Sequence, residues 1–215
     1  TPLEGIKNLA GENYKIEFDK GYEVTRENTA NKELITEATE LASKADIVIF
    51  VGGWIHSFDG NQWGEGTFDA EALDKENFDL MFGQMELLEK LTKANKNLVS
   101  VIFGGSSVKF GTWSDNSKAI LHVWYPGMEG GNALANILFG KTNPSGKLPV
   151  TFANDYKDYP DHQLGGFPGN GTDVVYNDDI YVGYRYFDSF NKEVPYPFGH
   201  GLSYTAFEFS ELRLD

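Results

Sequence analysis

The chain contains no cysteine, so disulfide frameworks, thiolate metal sites and thiol nucleophiles are excluded. It is short of positive charge as well. Eighteen lysines and arginines stand against 32 aspartates and glutamates in 215 residues, a formal net charge of −14. A field this negative repels phosphate backbones, and the few cations form no stripe, so no nucleic-acid partner is expected. Long apolar runs are also missing. Nowhere do about 18 apolar residues follow one another, so no membrane insertion is expected. The opening Thr1-Pro-Leu-Glu-Gly5 has neither the charged nor the apolar region of a secretory leader and does not begin with Met; it reads as a processed chain or an excised fragment. What is present is core material. Hydrophobic residues make up 40% and aromatic residues 14%, enough for a single domain over 1–215 and too much for a disordered chain.

The first two-thirds alternates strand-like and helix-like segments. Tyr14–Phe18 has the period of two expected of a strand. Glu33–Lys44 carries Leu34, Ile35, Ala38, Leu41 and Ala42 as a helical stripe. Asp46–Val51 is a β-branched buried-strand run stopped by Gly52-Gly53, and Leu80–Ala94 is a second amphipathic helix. Leu98–Phe103 and Ala119–Trp124 read as strands, Gly130–Phe139 as a helix and Leu148–Phe152 as a last short strand. Strands of this apolar type between helices predict βαβ units. The expected fold is α/β, a layered α/β/α sandwich with a mostly parallel central sheet. From about Asn154 the pattern dissolves into Tyr, Asp, Gly and Pro, with Asp179–Tyr186 alone resembling a strand. That part is expected to be a long irregular wrap held by buried rings.

Ligands of open α/β sheets bind beyond the carboxyl ends of the strands, and one loop there is oversized. Gly52–Asn77 covers 26 residues, where about 2–6 are usual. It places Trp54, His56, Phe58, Asp59, Trp63 and Glu65 close together. Indole rings stack on the apolar faces of sugars, and a carboxyl beside an apolar wall is raised toward general-acid duty. The plainer alternative is that the rings pin a long loop and the acids are solvated. Cofactor chemistry finds no support. Asp59-Gly60-Asn61 starts like a calcium loop but has Ala70 at the twelfth place, Gly104-Gly-Ser-Ser107 lacks the spacing of a phosphate loop, and the four histidines form no metal pair. No metal and no cofactor are expected.

Several stretches then coincide. Trp124-Tyr-Pro-Gly-Met-Glu-Gly-Gly-Asn-Ala-Leu-Ala-Asn-Ile-Leu-Phe-Gly140 leads into Asn143-Pro-Ser-Gly-Lys-Leu-Pro-Val-Thr-Phe152. Tyr181-Val-Gly-Tyr-Arg-Tyr-Phe187 and Tyr196-Pro-Phe-Gly-His-Gly-Leu-Ser-Tyr204 come next in order, and the chain opens with Thr1-Pro-Leu-Glu-Gly-Ile-Lys-Asn-Leu9. Together they resemble the second domain of family 3 glycoside hydrolases over essentially the whole chain. The resemblance implies an α/β sandwich that supplies the acid/base to an active site whose nucleophilic Asp lies on an N-terminal (β/α)8 barrel of the same protein, absent from this chain.

The resemblance also sets expectations for single residues. The acid/base falls on Glu65 in Gly64-Glu-Gly66, with Asp59 as the second choice, and on neither as the third. Lys75 in Leu73-Asp-Lys75 falls where the family has Arg, and Tyr176-Asn-Asp-Asp-Ile180 departs from the usual acidic-Gly pattern. Trp54, His56, Phe58 and Trp63 are the expected substrate-binding residues. The implied substrate is a β-linked glucoside or xyloside, the implied reaction retaining exo-hydrolysis, and the implied location periplasmic or extracellular. With one carboxyl of two, the chain alone is expected to be inactive. The competing readings are a non-catalytic carbohydrate-binding or interaction domain that keeps the fold, and a flavodoxin-like regulatory domain.

Overall fold

The computed structural model describes residues 1–60, 66–70, 73–167, 169 and 171–214. Helix α1 (Pro2–Ala10) begins the chain and was not foreseen, although Leu3, Ile6 and Ala10 recur at helical spacing and the last two are buried. Its start is local chemistry. Thr1 caps the Glu4 amide, the Glu4 carboxylate returns to Thr1, and Pro2 takes the first helical position, where its missing N–H costs nothing. The Thr-x-x-Glu spacing was a second signal.

Helix α2 (Lys32–Ala42) is capped by Asn31, whose side chain accepts from the Glu33 and Leu34 amides. It buries Ile35 and Ala42, leading to strand β1 (Val48–Gly53). The second amphipathic segment begins later than its apolar stripe predicts. Phe82 and Gly83 both have positive φ, so the chain turns at Leu80–Gly83 and helix α3 runs from Gln84 to Ala94. Strands β2 (Leu98–Phe103) and β3 (Ala119–Trp124) keep their expected bounds, joined through the short helix α4 (Thr112–Asn116). The sheet is parallel throughout, in the order β1-β2-β3. Its register slips once, so that Ile102 pairs with His122 but Phe103 with Trp124.

One face of the sheet carries the main core. Phe50, Leu98 and Ile102 pack with Ile35 of α2, Leu87, Leu88 and Leu91 of α3 and Trp113 of α4. The Trp113 side chain is fully enclosed, and its indole N–H donates to the Lys109 carbonyl at 3.1 Å. The opposite face is covered too, since Val101, which alternates with Ile102, is fully buried. Helix α5 (Gly130–Leu138) follows β3 and packs against α1. Gly5 and Gly131 meet there so closely that a Cβ on either would overlap the other helix's backbone. The fold is the expected α/β sandwich.

Three local expectations are corrected. Tyr14–Phe18 forms no strand; its alternation is that of an extended segment without a ladder partner, and Tyr14 and Phe18 are exposed. Leu148–Phe152 is reduced to one antiparallel bridge between Phe152 and Tyr196, in a stretch where Pro149 has no N–H to donate. Asp179–Tyr186 is no strand either. The chain turns at Asp178–Tyr181, passes Gly183 at φ +57° and, after the short helix α6 (Pro160–Gln163) upstream, enters helix α7 (Tyr184–Ser189). That last helix buries Tyr186 and Phe187 against Ala153, Tyr159 and Val194. The wrap is thus pinned at Thr151–Tyr159 and at Tyr184–His200. Between and beyond these anchors Val174, Val175, Tyr176, Ile180, Val182, Leu202, Phe207, Phe209, Leu212 and Leu214 stay exposed.

Candidate functional site

The three strands deliver Trp54, Gly104-Gly105 and Tyr125 to one carboxyl edge. Beyond Gly53 the chain does not wander. It rises as an arm and returns along itself: Phe68 N–H donates to the His56 carbonyl at 2.8 Å, Ser57 and Thr67 form an antiparallel bridge, and Phe58 N–H donates to the Gly66 carbonyl at 2.8 Å. Of the described residues, 58–60 and 66 stand between the two bridge partners in the chain. Glu65 and Trp63, with Asn61, Gln62 and Gly64, lie outside the described residues, so of Glu65 it is the neighbour on the chain, Gly66, that is fixed.

The foot of the arm is tied down by Asp69. Lys75 forms an ion pair with one of its oxygens, and the other accepts from the Tyr125 hydroxyl and from the Gly105 amide at 3.3 Å. One carboxylate therefore joins the β1 arm, the β2 turn and the end of β3. Its side chain is 11% exposed and that of Lys75 12%. The Lys75 ammonium also lies 4.6 Å from the centre of the Trp54 ring. Burial by itself would raise the Asp69 carboxyl; Lys75, Tyr125 and Gly105 outweigh it and hold the group below the ordinary aspartate value. The Tyr125 phenol is driven well above its ordinary value, by desolvation first and then by the Asp69 charge.

A lowered carboxyl contributes stability that is present above the unfolded value and is lost as pH falls through the folded one. Asp69→Asn is therefore expected to cost about 1–3 kcal/mol at pH 7, the range for breaking a charged hydrogen-bonded group. Thermal melts of variant and wild type should converge as pH is taken below 3.8. A difference independent of pH would mean that the charge plays no part.

The expected site residues separate into two groups. Trp54 is a core residue, 6% exposed, lying on Gly104 so closely that a Cβ there would meet the indole; its ring N–H has no partner among the described residues. Phe58 and His56 are exposed on the arm. The Arg26 guanidinium lies 5.4 Å from the Phe58 ring and pairs with Asp59 at 2.9 Å, tying the arm to the preceding turn. His122 sits between Trp124 and Phe152, with Nε2 3.1 Å from the Ser106 carbonyl, and burial lowers its pKa. It is a packed residue. Asp69, Lys75 in its actual pairing, and Tyr125 were not foreseen as a unit. Lys75 pairs with Asp69 and not with its neighbour Asp74, and Tyr125 reads in the sequence only as part of a turn motif.

Residues 1–204 match the profile described as the glycosyl hydrolase family 3 C-terminal domain. The chain belongs to this family. The family 3 domain is 37% identical to a beta-glucosidase of Bacteroides ovatus over 98% of this chain, and 36% identical to an exo-alpha-(1->6)-L-arabinopyranosidase of Bifidobacterium longum over 94%. These matches take in 28% and 25% of the two relatives, so the domain spans about a quarter of their length. Among solved structures it resembles a family 3 beta-glucosidase of Bifidobacterium adolescentis, with a TM-score of 0.78 at 38% identity, covering 91% of this chain and 27% of that one.

Proposed function

We propose that this domain supplies the general acid/base of a retaining, exo-acting β-glycosidase, with Glu65 as the group and Asp59 as its alternative. The observation that carries the reading is the anchored arm. A segment expected to deliver a proton needs a fixed base, and the arm has one in the Ser57–Thr67 bridge and the Asp69 tie. Glu65 adjoins the fixed Gly66, whereas Asp59 is already engaged by Arg26. In the first step Glu65, as the acid, protonates the glycosidic oxygen while a carboxylate of the (β/α)8 barrel displaces it at the anomeric carbon. In the second, ionised Glu65 takes a proton from water, whose oxygen attacks that carbon and releases the barrel carboxylate.

Phe58, His56 and Trp63 on the arm are the proposed contacts to substrate; Trp54 supports them from below through Lys75. A beta-glucosidase and an arabinopyranosidase are related to the domain at nearly equal identity. That supports a pyranoside substrate, here a β-glucoside or β-xyloside, whose sugar identity is set largely by the barrel. A periplasmic or extracellular location is part of the same proposal. The test is to assay residues 1–215 alone beside the full-length protein on an aryl β-glucoside. Turnover only in the full-length protein is the expected result. Enzymatic turnover by residues 1–215 alone would overturn the division of the active site.

A further inference from the structure

One buried titratable group takes no part in the proposed chemistry. His122 lies near the end of β3, where it pairs with Ile102 just before the register slips. Its ring meets Trp124 at 4.5 Å and Phe152 at 5.2 Å between centroids, and those two rings are 6.3 Å apart, so three rings close on one another. The contact with Ser106 fixes the tautomer. A carbonyl oxygen only accepts, so Nε2 carries the hydrogen and the neutral ring leaves Nδ1 bare. Nδ1 is buried and has no partner among the described residues. Left bare, it forfeits one hydrogen bond. Protonated, it would bury a full charge between apolar rings with no acceptor in reach.

Phe152 is also where the C-terminal wrap is fastened. It is 2% exposed, and its amide donates to the Tyr196 carbonyl at 2.8 Å in the antiparallel bridge. Beside it the Phe198 amide donates to the Thr151 hydroxyl at 3.2 Å, and Leu148 shares backbone bonds of 2.8 Å with Gly199 and His200. The imidazole thus packs on the residue that holds the wrap to the sheet. The elements around the ring bring other ionisable groups with them: Lys109 and Asp115 at α4, Tyr125 after β3, Asp155, Asp158 and Tyr159 beyond Phe152, and Tyr196 and His200 across the bridge. None of these governs His122. Burial lowers its pKa, and the Ser106 carbonyl opposes that only in part.

The geometry points to His122 as an acid-sensitive fastener: protonation at Nδ1 expels the ring from between Trp124 and Phe152 and releases the wrap at the Phe152–Tyr196 bridge, while the three-stranded sheet persists. The sign follows from the neutral state. A histidine kept neutral by the fold contributes stability that is whole above its unfolded value of 6.5 and is lost as pH falls from there toward the lower folded value. The experiment is hydrogen exchange by mass spectrometry on the full-length protein at pH 7 and pH 5, with rates corrected for their intrinsic pH dependence. Peptides covering 148–152 and 196–200 are expected to lose protection about tenfold, the factor for one unit between folded and unfolded pKa, while 84–94 in α3 keeps its own. His122→Gln can still donate to Ser106 but does not titrate, so its wrap should hold equally at both pH values; His122→Phe takes its place if that variant does not fold. Wild-type protection of the wrap unchanged between pH 7 and pH 5 overturns the proposal. So does a loss of the same size in the folded variant, or one shared by α3, which would be general acid unfolding. A loss abolished by His200→Gln in place of His122→Gln would transfer the role to His200 and overturn it as well.

Discussion

Glu65→Ala in the full-length protein is expected to lower kcat on an unactivated β-glycoside by about 10²–10⁴-fold, the usual contribution of a positioned general acid. The loss should depend on the leaving group. A sugar alkoxide needs a proton to depart, whereas a dinitrophenolate does not, so the first step on an activated aryl glycoside should survive. The second step then stalls, because no base is left to activate water, and the covalent glycosyl-enzyme accumulates. Added azide needs no base; it should restore turnover on the activated substrate and yield the glycosyl azide. Asp59→Ala removes an ion pair with Arg26 whose side chains are 43% and 37% exposed, and pairs of that kind contribute about 0–1 kcal/mol. It should keep most of the activity and show no azide effect. Azide rescue of Asp59→Ala in place of Glu65→Ala would transfer the role.

The second large effect is on stability. Strand β1 is at the edge of the sheet, and at Gly53 its free side faces the fully buried Gln84. The Gln84 side chain accepts from the Gly53 amide at 2.6 Å and donates to the Gly53 carbonyl at 2.9 Å. Its carboxamide thus completes the pairing that another strand would give, at the last residue before Trp54. Gln84→Leu keeps the volume but leaves two buried backbone groups without partners, at roughly 1–3 kcal/mol each. Several kcal/mol should be lost in a denaturant titration of residues 1–215. Gln84→Glu should recover at most one of the two bonds. A Gln84→Leu midpoint matching wild type would mean that water reaches Gly53.

The contrast between what the sequence discloses and what it hides reflects the range of each interaction. Leu98–Phe103 and Ala119–Trp124 are strands with the expected bounds, because each writes its length as a largely apolar run, although only the first is mostly buried. Helix α1 escaped because its stripe of Leu3, Ile6 and Ala10 is only nine residues long, short of the window in which helical periodicity stands out. Tyr14–Phe18 and Asp179–Tyr186 alternate as strands do, but alternation says nothing about whether a partner strand lies alongside. For the site, the oversized loop after β1 and its clustered rings were legible. The Asp69–Tyr125 contact was not, since 56 residues separate the two and only the sheet brings them together. Likewise Trp54, Phe58 and Asp59 look equivalent on paper. Burial makes the first a support, exposure keeps the second available, and Arg26 engages the third.

The exposed apolar side chains of the C-terminal wrap have a colloidal consequence. With fifteen large apolar or aromatic side chains from Val174 to Leu214 open to solvent among the described residues, the surface is adhesive to its own kind, and what keeps copies apart is the net charge of −14. That repulsion reaches about 10 Å at 0.1 M salt and only about 3 Å at 1 M. Residues 1–215 on their own are thus a protein whose dispersal in water is electrostatic, sustained by dilute buffer and withdrawn by concentrated salt.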